Sequence, residues 1–116
     1  MYRFEELDVW KMSASLCAEI YKNSSELRDY GFKDQITRSS LSISSNIAEG
    51  YERASSKDAV NFLIYAKGSA GELRTQIYVG MKIGYINPDT GKKWLSESEK
   101  ISKMLSALMK KLKNLN

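Results

Sequence analysis

The stretch WLSESEKISKMLSALMKKL, residues 94–112, places an apolar or small side chain at every third or fourth position. Continued towards the end of the chain, this stripe consists of Trp94, Ser98, Ile101, Leu105, Leu108, Leu112 and Leu115. Steps of three and four keep side chains on one face of an α-helix. The stretch therefore predicts a helix that packs against other elements along its whole length.

Three earlier segments repeat this spacing and predict three further helices. Their stripes are Leu7, Trp10, Ala14, Cys17 and Tyr21 in the first segment, Ile36, Ser40, Ile43, Ile47 and Gly50 in the second, and Phe62, Ala66, Ser69, Leu73, Gln76, Gly80 and Ile83 in the third. No segment alternates with a period of two residues, so no strand is predicted. We predict helices at about residues 6–24, 33–53, 56–84 and 88–114.

Residues at the predicted helix ends support this division. Ser55 followed by Asp58 is typical of a capping box at the start of the third helix. Gly84 suits the left-handed position just beyond the end of that helix. Asn87 and Pro88 match the N-cap and the first position of the fourth helix.

The predicted connections between helices are short, and the first lies between Ser24 and Gly31. Short connections make consecutive helices antiparallel neighbours. We therefore predict an all-α protein with a single domain at residues 1–116, folded as an up-down-up-down four-helix bundle. Gly68, Gly71 and Gly80 lie inside the third helix, where each costs about 1 kcal/mol relative to alanine. We expect another helix to approach closely at these glycines.

The composition excludes several classes of protein. The chain has no histidine, which removes the usual general base and the commonest metal ligand, so no metal or cofactor is expected. The single Cys17 cannot form an intrachain disulfide and fits a reducing cytoplasm. The longest uncharged stretch, residues 39–48, is about half as long as a membrane span. No apolar signal segment follows Met1. We expect a cytoplasmic protein without a membrane segment.

The sequence offers weak candidates for catalysis. Residues 66–69, Ala-Lys-Gly-Ser, share three letters with a phosphate-binding loop but lack its upstream glycine and its preceding strand. Five serines lie between Ser39 and Ser45. A nucleophilic serine needs an adjacent base, and the spacing selects no lysine for that role. Close helix packing through small side chains explains this serine run better. We therefore predict that the protein is not an enzyme.

The positive charge is concentrated at the end of the chain. The formal net charge is +4, and five lysines without any acidic residue follow from position 100. They are Lys100, Lys103, Lys110, Lys111 and Lys113. One interpretation is that they complement the dipole at a helix C-terminus and keep the protein soluble. The other interpretation is a patch that binds the phosphates of a nucleic acid.

A second polar feature lies on the predicted second helix. Arg38, Ser42, Ser45, Asn46, Glu49 and Arg53 follow one another at steps of one to four and share one broad face. This row is either a solvated face with weak ion pairs or a polar network between helices or subunits. In the second case we expect Arg38, Asn46 and Glu49 to have structural roles and Glu72 of the third helix to join them.

Five segments of the sequence resemble the signature of the 23S rRNA intervening-sequence proteins, a family of bacterial four-helix bundles. The resemblance is carried by Gln35-Ile36-Thr37-Arg38, by residues 42–50 (SISSNIAEG), by Leu7-Asp8-Val9-Trp10, by Tyr30-Gly31-Phe32 and by residues 66–73 (AKGSAGEL). It places Arg38, Asn46, Glu49, Gly50 and Glu72 in the family motif. Ser44 departs from it, because proline is common there. Losing a proline inside a helix straightens the helix.

The resemblance implies a left-handed bundle that assembles as a homopentamer. It also suggests nucleic-acid binding, since some members are encoded within large-subunit ribosomal RNA genes and related proteins accompany diversity-generating retroelements. Apolar residues outside the main stripes support an oligomer, because leftover apolar patches mark interfaces. These residues are Val9, Leu16, Ile20, Leu41, Tyr65, Tyr78 and Met104. Our prediction is a homo-oligomer that binds structured RNA or DNA. The alternative is a homo-oligomeric scaffold for a protein partner.

Overall fold

The computed structural model describes residues 3–115 and contains four α-helices. They are α1 at Asp8–Ser24, α2 at Tyr30–Tyr51, α3 at Ser56–Lys82 and α4 at Pro88–Lys113, and a 3-10 turn at Phe4–Glu6 precedes them. No strand occurs within residues 3–115. The prediction of an all-α four-helix bundle is confirmed.

Side-chain contacts show that α2, α3 and α4 run antiparallel to their neighbours. Ser39 of α2 donates a hydrogen bond to Gln76 of α3, and Ser42 lies beside Ser69, so residue numbers rise along α2 as they fall along α3. Residue numbers also rise along α4 as they fall along α3. Arg74 bonds to Ser102, and Lys67 bonds to Ser106. The connections are therefore those of an up-down-up-down bundle.

The contact between α1 and α4 is the least extensive of the four contacts between neighbouring helices. An ion pair at 3.1 Å joins Glu19 to Lys93 at one end of this contact. At the other end, an open apolar groove of about 310 Å³ separates the two helices. Its lining consists of Leu7, Asp8, Val9, Met104, Ala107, Leu108 and Lys111. The core is therefore packed mainly by α2, α3 and α4.

The helix starts follow from local capping. Ser55 accepts a hydrogen bond from the Asp58 amide at 3.1 Å, which confirms the predicted cap of α3. Asp29 accepts one from the Phe32 amide at 3.1 Å, so α2 begins three residues earlier than predicted. Tyr30 and Gly31 were predicted to lie in the connection but form the first turn of this helix. The predicted start of α1 near residue 6 is two residues early, because the 3-10 turn precedes it.

The turn between α3 and α4 also follows the predicted pattern. Gly84 has a φ of +80°, and the Tyr85 amide donates to the Gly80 carbonyl at 2.8 Å, as in a Schellman motif. Asn87 accepts a hydrogen bond from the Asp89 amide at 2.8 Å and so caps α4. Ile86 covers Gly80 closely, since a Cβ atom there would lie 2.5 Å from the Ile86 side chain. The same Cβ atom would lie 3.0 Å from the Phe32 ring of α2, so another helix approaches Gly80 as expected, together with the loop side chain of Ile86.

The predicted stripes of α2 and α4 form the core. All five stripe positions of α2 are buried: Ile36, Ser40, Ile43, Ile47 and Gly50. On α4, Trp94, Ser98, Ile101, Leu105 and Leu112 are buried, whereas Leu108 is partly buried and Leu115 is exposed.

The predicted stripes of α1 and α3 are buried only in part, and the structure corrects their other positions. On α1, Leu16 and Ile20 are fully buried, whereas Tyr21 is 45% exposed. Two adjacent rows of α1 are apolar, and the row with the more apolar side chains faces the core. On α3, Leu63 and Ile77 lie in the core in place of Phe62 and Gln76. Ala66, Leu73 and Gly80 of the predicted stripe are buried as expected.

This correction changes which apolar residues remain for an interface. Val9, Leu16 and Ile20 were predicted to be left over, but they belong to the core of the chain itself. Met104 is partly buried against that core. Leu41, Tyr65 and Tyr78 remain, and their exposed fractions are 47%, 58% and 53%.

Candidate nucleic-acid interface

The basic residues predicted on α4 all reach solvent. Lys100, Lys103, Lys110, Lys111 and Lys113 are exposed. None of the five forms an ion pair within 4.0 Å with another residue between positions 3 and 115. Their ammonium groups are therefore available to an anionic ligand.

The lysines at the end of α4 adjoin the start of α3. Lys113 and Lys57 line one depression of about 230 Å³, together with Asn61. Lys110 and Lys113 line a second depression beside Ser106. Lys67 of α3 also reaches Ser106, and its Nζ atom donates a hydrogen bond to the hydroxyl at 2.7 Å.

Arg74 extends this basic surface two helical turns beyond Lys67 on α3. Its Nη1 atom lies 2.8 Å from the Ser102 hydroxyl and 3.4 Å from the Ser98 hydroxyl. Lys57, Lys67, Arg74, Lys110 and Lys113 together form what we call the basic seam. Lys57 and Arg74 are 17 positions apart on α3, so the seam is about 26 Å long at a rise of 1.5 Å per residue.

Reasoning from the sequence missed the part of the seam that α3 contributes. Lys57, Lys67 and Arg74 are spread over 18 positions, and no run of charge marks them. From the sequence, Lys67 was considered only because residues 66–69 share three letters with a phosphate-binding loop. The three residues lie on the side of α3 that adjoins α4, and this can be recognised only when the antiparallel packing of the two helices is known.

The pairing of Lys67 with Ser106 does not make a catalytic dyad. A lysine that activates a serine must be buried, so that its amine loses its proton. Lys67 is exposed. The bond instead positions the Lys67 ammonium on the surface of α4.

The charged residues of the polar row on α2 pair within their own helix. Arg38 binds Asp34 at 3.0 Å, and Glu49 binds Arg53 at 2.7 Å, both as exposed pairs four residues apart. These pairs match the first interpretation of the row, a solvated face with weak ion pairs, and the second one, charges paired across helices, is not found among residues 3–115. Oppositely charged side chains one turn away on the same helix offer the nearer partners.

Asn46, acting through Ser42, and Gly50 lie where α2 contacts α3. Asn46 donates hydrogen bonds to the Ser42 carbonyl at 2.8 Å and to the Ser42 hydroxyl at 2.9 Å. The Ser42 hydroxyl in turn lies 2.9 Å from that of Ser69 on α3. Gly50 is buried where the two backbones approach each other. These two motif residues therefore support the packing of α2 against α3.

Glu72 is exposed on α3 and forms no hydrogen bond or ion pair with residues 3–115. The expected connection from Glu72 to the polar row is therefore not made within one subunit.

Two other kinds of site receive no support in the described residues. Residues 3–115 contain no group of three or more acidic or cysteine side chains that could hold a metal ion. Cys17 is buried next to the Ser40 hydroxyl.

None of the helices in this part of the chain has both the length and the apolar character needed to cross a membrane.

Comparisons with known proteins agree with the fold. The structure is similar to a crystal structure from Bacteroides thetaiotaomicron VPI-5482, described as a protein with unknown function from the S23 ribosomal protein family. The TM-score is 0.82 at 27% sequence identity, and the match covers 88% of this chain and 98% of the other. No curated protein matches the sequence. The family model described as 23S rRNA-intervening sequence protein matches residues 5–107. Because this match spans most of the chain, the protein belongs to the 23S rRNA-intervening sequence protein family.

Proposed function

We propose that this protein is a non-enzymatic homo-oligomer that binds structured nucleic acid through the lysines of α4. The observation that carries the proposal is the free set of cations at the end of α4. Lys100, Lys103, Lys110, Lys111 and Lys113 are all exposed, and none is neutralised by a carboxylate within residues 3–115. Lysine ammonium groups bind phosphates as point charges, whatever the base.

The chemistry of these groups favours a ligand with many phosphates and little dependence on base sequence. Binding through lysine–phosphate contacts releases counterions from the nucleic acid, so the affinity falls steeply as salt rises. The name of the family refers to 23S ribosomal RNA. A structured fragment of ribosomal RNA is therefore the first ligand to test.

An oligomer would strengthen such binding. The exposed side chains of Leu41, Tyr65 and Tyr78 provide apolar surface for contacts between subunits. Resemblance to the family favours five subunits. A ring would repeat the lysines of α4 around one rim, and several weak patches on a rigid ring gain avidity when the ligand spans them. Light scattering should give a mass well above that of one chain, and a monomer at micromolar concentration would contradict this part.

Charge reversal tests the lysines directly. The triple variant Lys110→Glu, Lys111→Glu and Lys113→Glu should lose most of its affinity for a ribosomal RNA hairpin while remaining oligomeric. The matched control reverses three exposed lysines outside this patch, Lys11, Lys22 and Lys82, and so changes the net charge equally. We expect the control to bind much more tightly than the first variant.

Two outcomes would overturn the proposal. Equal losses in both triple variants would mean that only net charge matters. Absence of binding by the unmodified protein at low salt would favour the alternative function, a homo-oligomeric scaffold for a protein partner. The exposed apolar residues that favour an oligomer would serve that function equally.

A further inference from the structure

Two basic side chains on the middle of α3 are held in place by serines of α4. Lys67 donates to Ser106 at 2.7 Å, and Arg74 donates to Ser102 at 2.8 Å. The two basic residues are seven positions apart, which is two helical turns or about 10.5 Å along the axis. Neither forms an ion pair with residues 3–115. Both cations are therefore positioned but not neutralised.

Gly71 lies on the helix face between these two cations, four positions after Lys67 and three before Arg74. Gly68 lies about 100° round the helix from Lys67, and a Cβ atom there would meet nothing within 4 Å. At Gly71 a Cβ atom would meet only the end of the Arg74 side chain, at 3.7 Å. We expected another helix to approach both glycines, and within one subunit this expectation is wrong. Packing within the subunit therefore does not require either glycine, although each costs about 1 kcal/mol relative to alanine.

We propose that Lys67 and Arg74, held by Ser106 and Ser102, are a phosphate clamp that binds the sugar–phosphate backbone of a nucleic acid against α3. This inference rests on the proposed function and adds a second helix to the interface. A serine hydroxyl that accepts a hydrogen bond from lysine or arginine can still donate its own proton to a phosphate oxygen. The clamp therefore offers two cations and two hydroxyl donors.

Gly71 allows the ligand to come close to these donors. Without a side chain at Gly71, a phosphodiester backbone can lie directly on the helix between the two cations. Coulomb attraction grows as the separation shrinks, and it is stronger where water is displaced. Lys57 and Lys113 extend the positive charge in one direction along the seam.

A second copy of the chain fits this surface less well. A helix packed onto Gly71 would cover Lys67 and Arg74, and an unpaired charge is costly to remove from water. Such a helix would have to supply two carboxylates at the spacing of the two cations. The backbone of a nucleic acid carries a negative charge at every phosphate along its length. The charge of this surface therefore favours nucleic acid over a subunit contact.

Neutralising the clamp is the first test. The double variant Lys67→Gln and Arg74→Gln should bind a ribosomal RNA hairpin about tenfold or more weakly than the unmodified protein. The control Lys11→Gln and Lys22→Gln removes the same charge from exposed positions on α1. It should weaken binding no more than about threefold. Equal effects in the two double variants would overturn the clamp.

A second test keeps every charge and fills the space between the cations. Gly71→Leu adds a side chain whose Cβ atom would meet only the end of the flexible Arg74 side chain, at 3.7 Å, and it improves helix propensity, so the variant should fold. It should bind the hairpin about tenfold more weakly, whereas the control Ala18→Leu, at an exposed position on α1, should bind as the unmodified protein does. Unchanged binding by Gly71→Leu would contradict the clamp.

The two tests separate the clamp from the proposed function. If the α4 triple variant loses binding but the clamp variants bind normally, the clamp is wrong and the α4 interface stands. If the unmodified protein binds no RNA at low salt, both are wrong. If Gly71→Leu instead breaks the oligomer in light scattering, Gly71 contacts a second copy and the clamp is wrong.

Discussion

Gly50 of α2 packs directly on the backbone of Ala59 in α3. A Cβ atom at position 50 would lie 3.0 Å from the Ala59 carbonyl oxygen and 3.1 Å from the Cβ atom of Phe62. Neither atom can move without shifting α3. The end of α2 can therefore approach the start of α3 only because position 50 lacks a side chain.

We expect Gly50→Ala to destabilise the protein by about 1–3 kcal/mol, because overpacking costs more than the gain in helix propensity. Gly68→Ala is the matched substitution on the same bundle, and it should stabilise the protein by about 0.5–1 kcal/mol. Urea unfolding monitored by circular dichroism would measure both. A stabilising Gly50→Ala would show that α2 and α3 are farther apart than described.

Leu105→Ala should cost about 2–5 kcal/mol, as a large-to-small substitution in the core. Leu105 is fully buried at the centre of the α4 stripe. Leu115→Ala removes the same atoms from a side chain that is 63% exposed and should change stability by less than about 0.5 kcal/mol. A loss below about 1 kcal/mol for Leu105→Ala would mean that the register of α4 is wrong.

Glu49→Ala should change the stability of one subunit by no more than about 0.5 kcal/mol. Its partner Arg53 is exposed and lies four residues away on the same helix, and such pairs contribute little. Arg53 also stacks at 4.6 Å over the Phe62 ring, which keeps it ordered without Glu49. Unfolding and light scattering should be measured together. Loss of the oligomer with an intact subunit would assign Glu49 to a subunit interface.

Glu97 should lower the stability of the protein once its carboxyl group is ionised. Burial, and then the neighbouring Glu19, raise the pKa of Glu97, although Lys93 and Lys100 oppose the shift. A raised pKa in the folded state means that the charged carboxylate is disfavoured there, so stability falls as pH rises through that pKa. Glu97→Gln should therefore stabilise the protein at neutral pH, and the gain should vanish in acid.

Unfolding curves at several pH values would measure this gain. Glu99→Gln is the control, because Glu99 is exposed two positions away on α4. If the gain for Glu97→Gln is the same at all pH values, titration of Glu97 is not its cause.

Local signals were sufficient to predict the helices. The φ of Gly84 and the caps at Ser55 and Asn87 depend on residues within a few positions, and these predictions are confirmed. The register of α1 was not determined locally. Both Leu16 and Cys17 are apolar, so two adjacent rows of α1 could face the core. Which row does so depends on the side chains of α2 and α4 that pack against α1.

The basic surface was predicted only in part, for the same reason. The α4 lysines are close in sequence and could be found by counting charge. Lys67 and Arg74 meet the serines of α4 across 39 and 28 positions, a relationship that only the packing of α3 on α4 creates. Arg38 pairs with Asp34 and Glu49 pairs with Arg53, as in the first interpretation of the polar row, because a partner one turn away on the same helix is nearer than one on another helix.

The most direct test of the central claim is the affinity of the unmodified protein for a ribosomal RNA hairpin at several salt concentrations. If the five α4 lysines contact phosphates, the logarithm of the binding constant should fall linearly with the logarithm of the salt concentration, with a slope of about −3 or steeper. The triple variant at Lys110, Lys111 and Lys113 should give a shallower slope. No binding at low salt, or an affinity that does not change with salt, would contradict a nucleic-acid function.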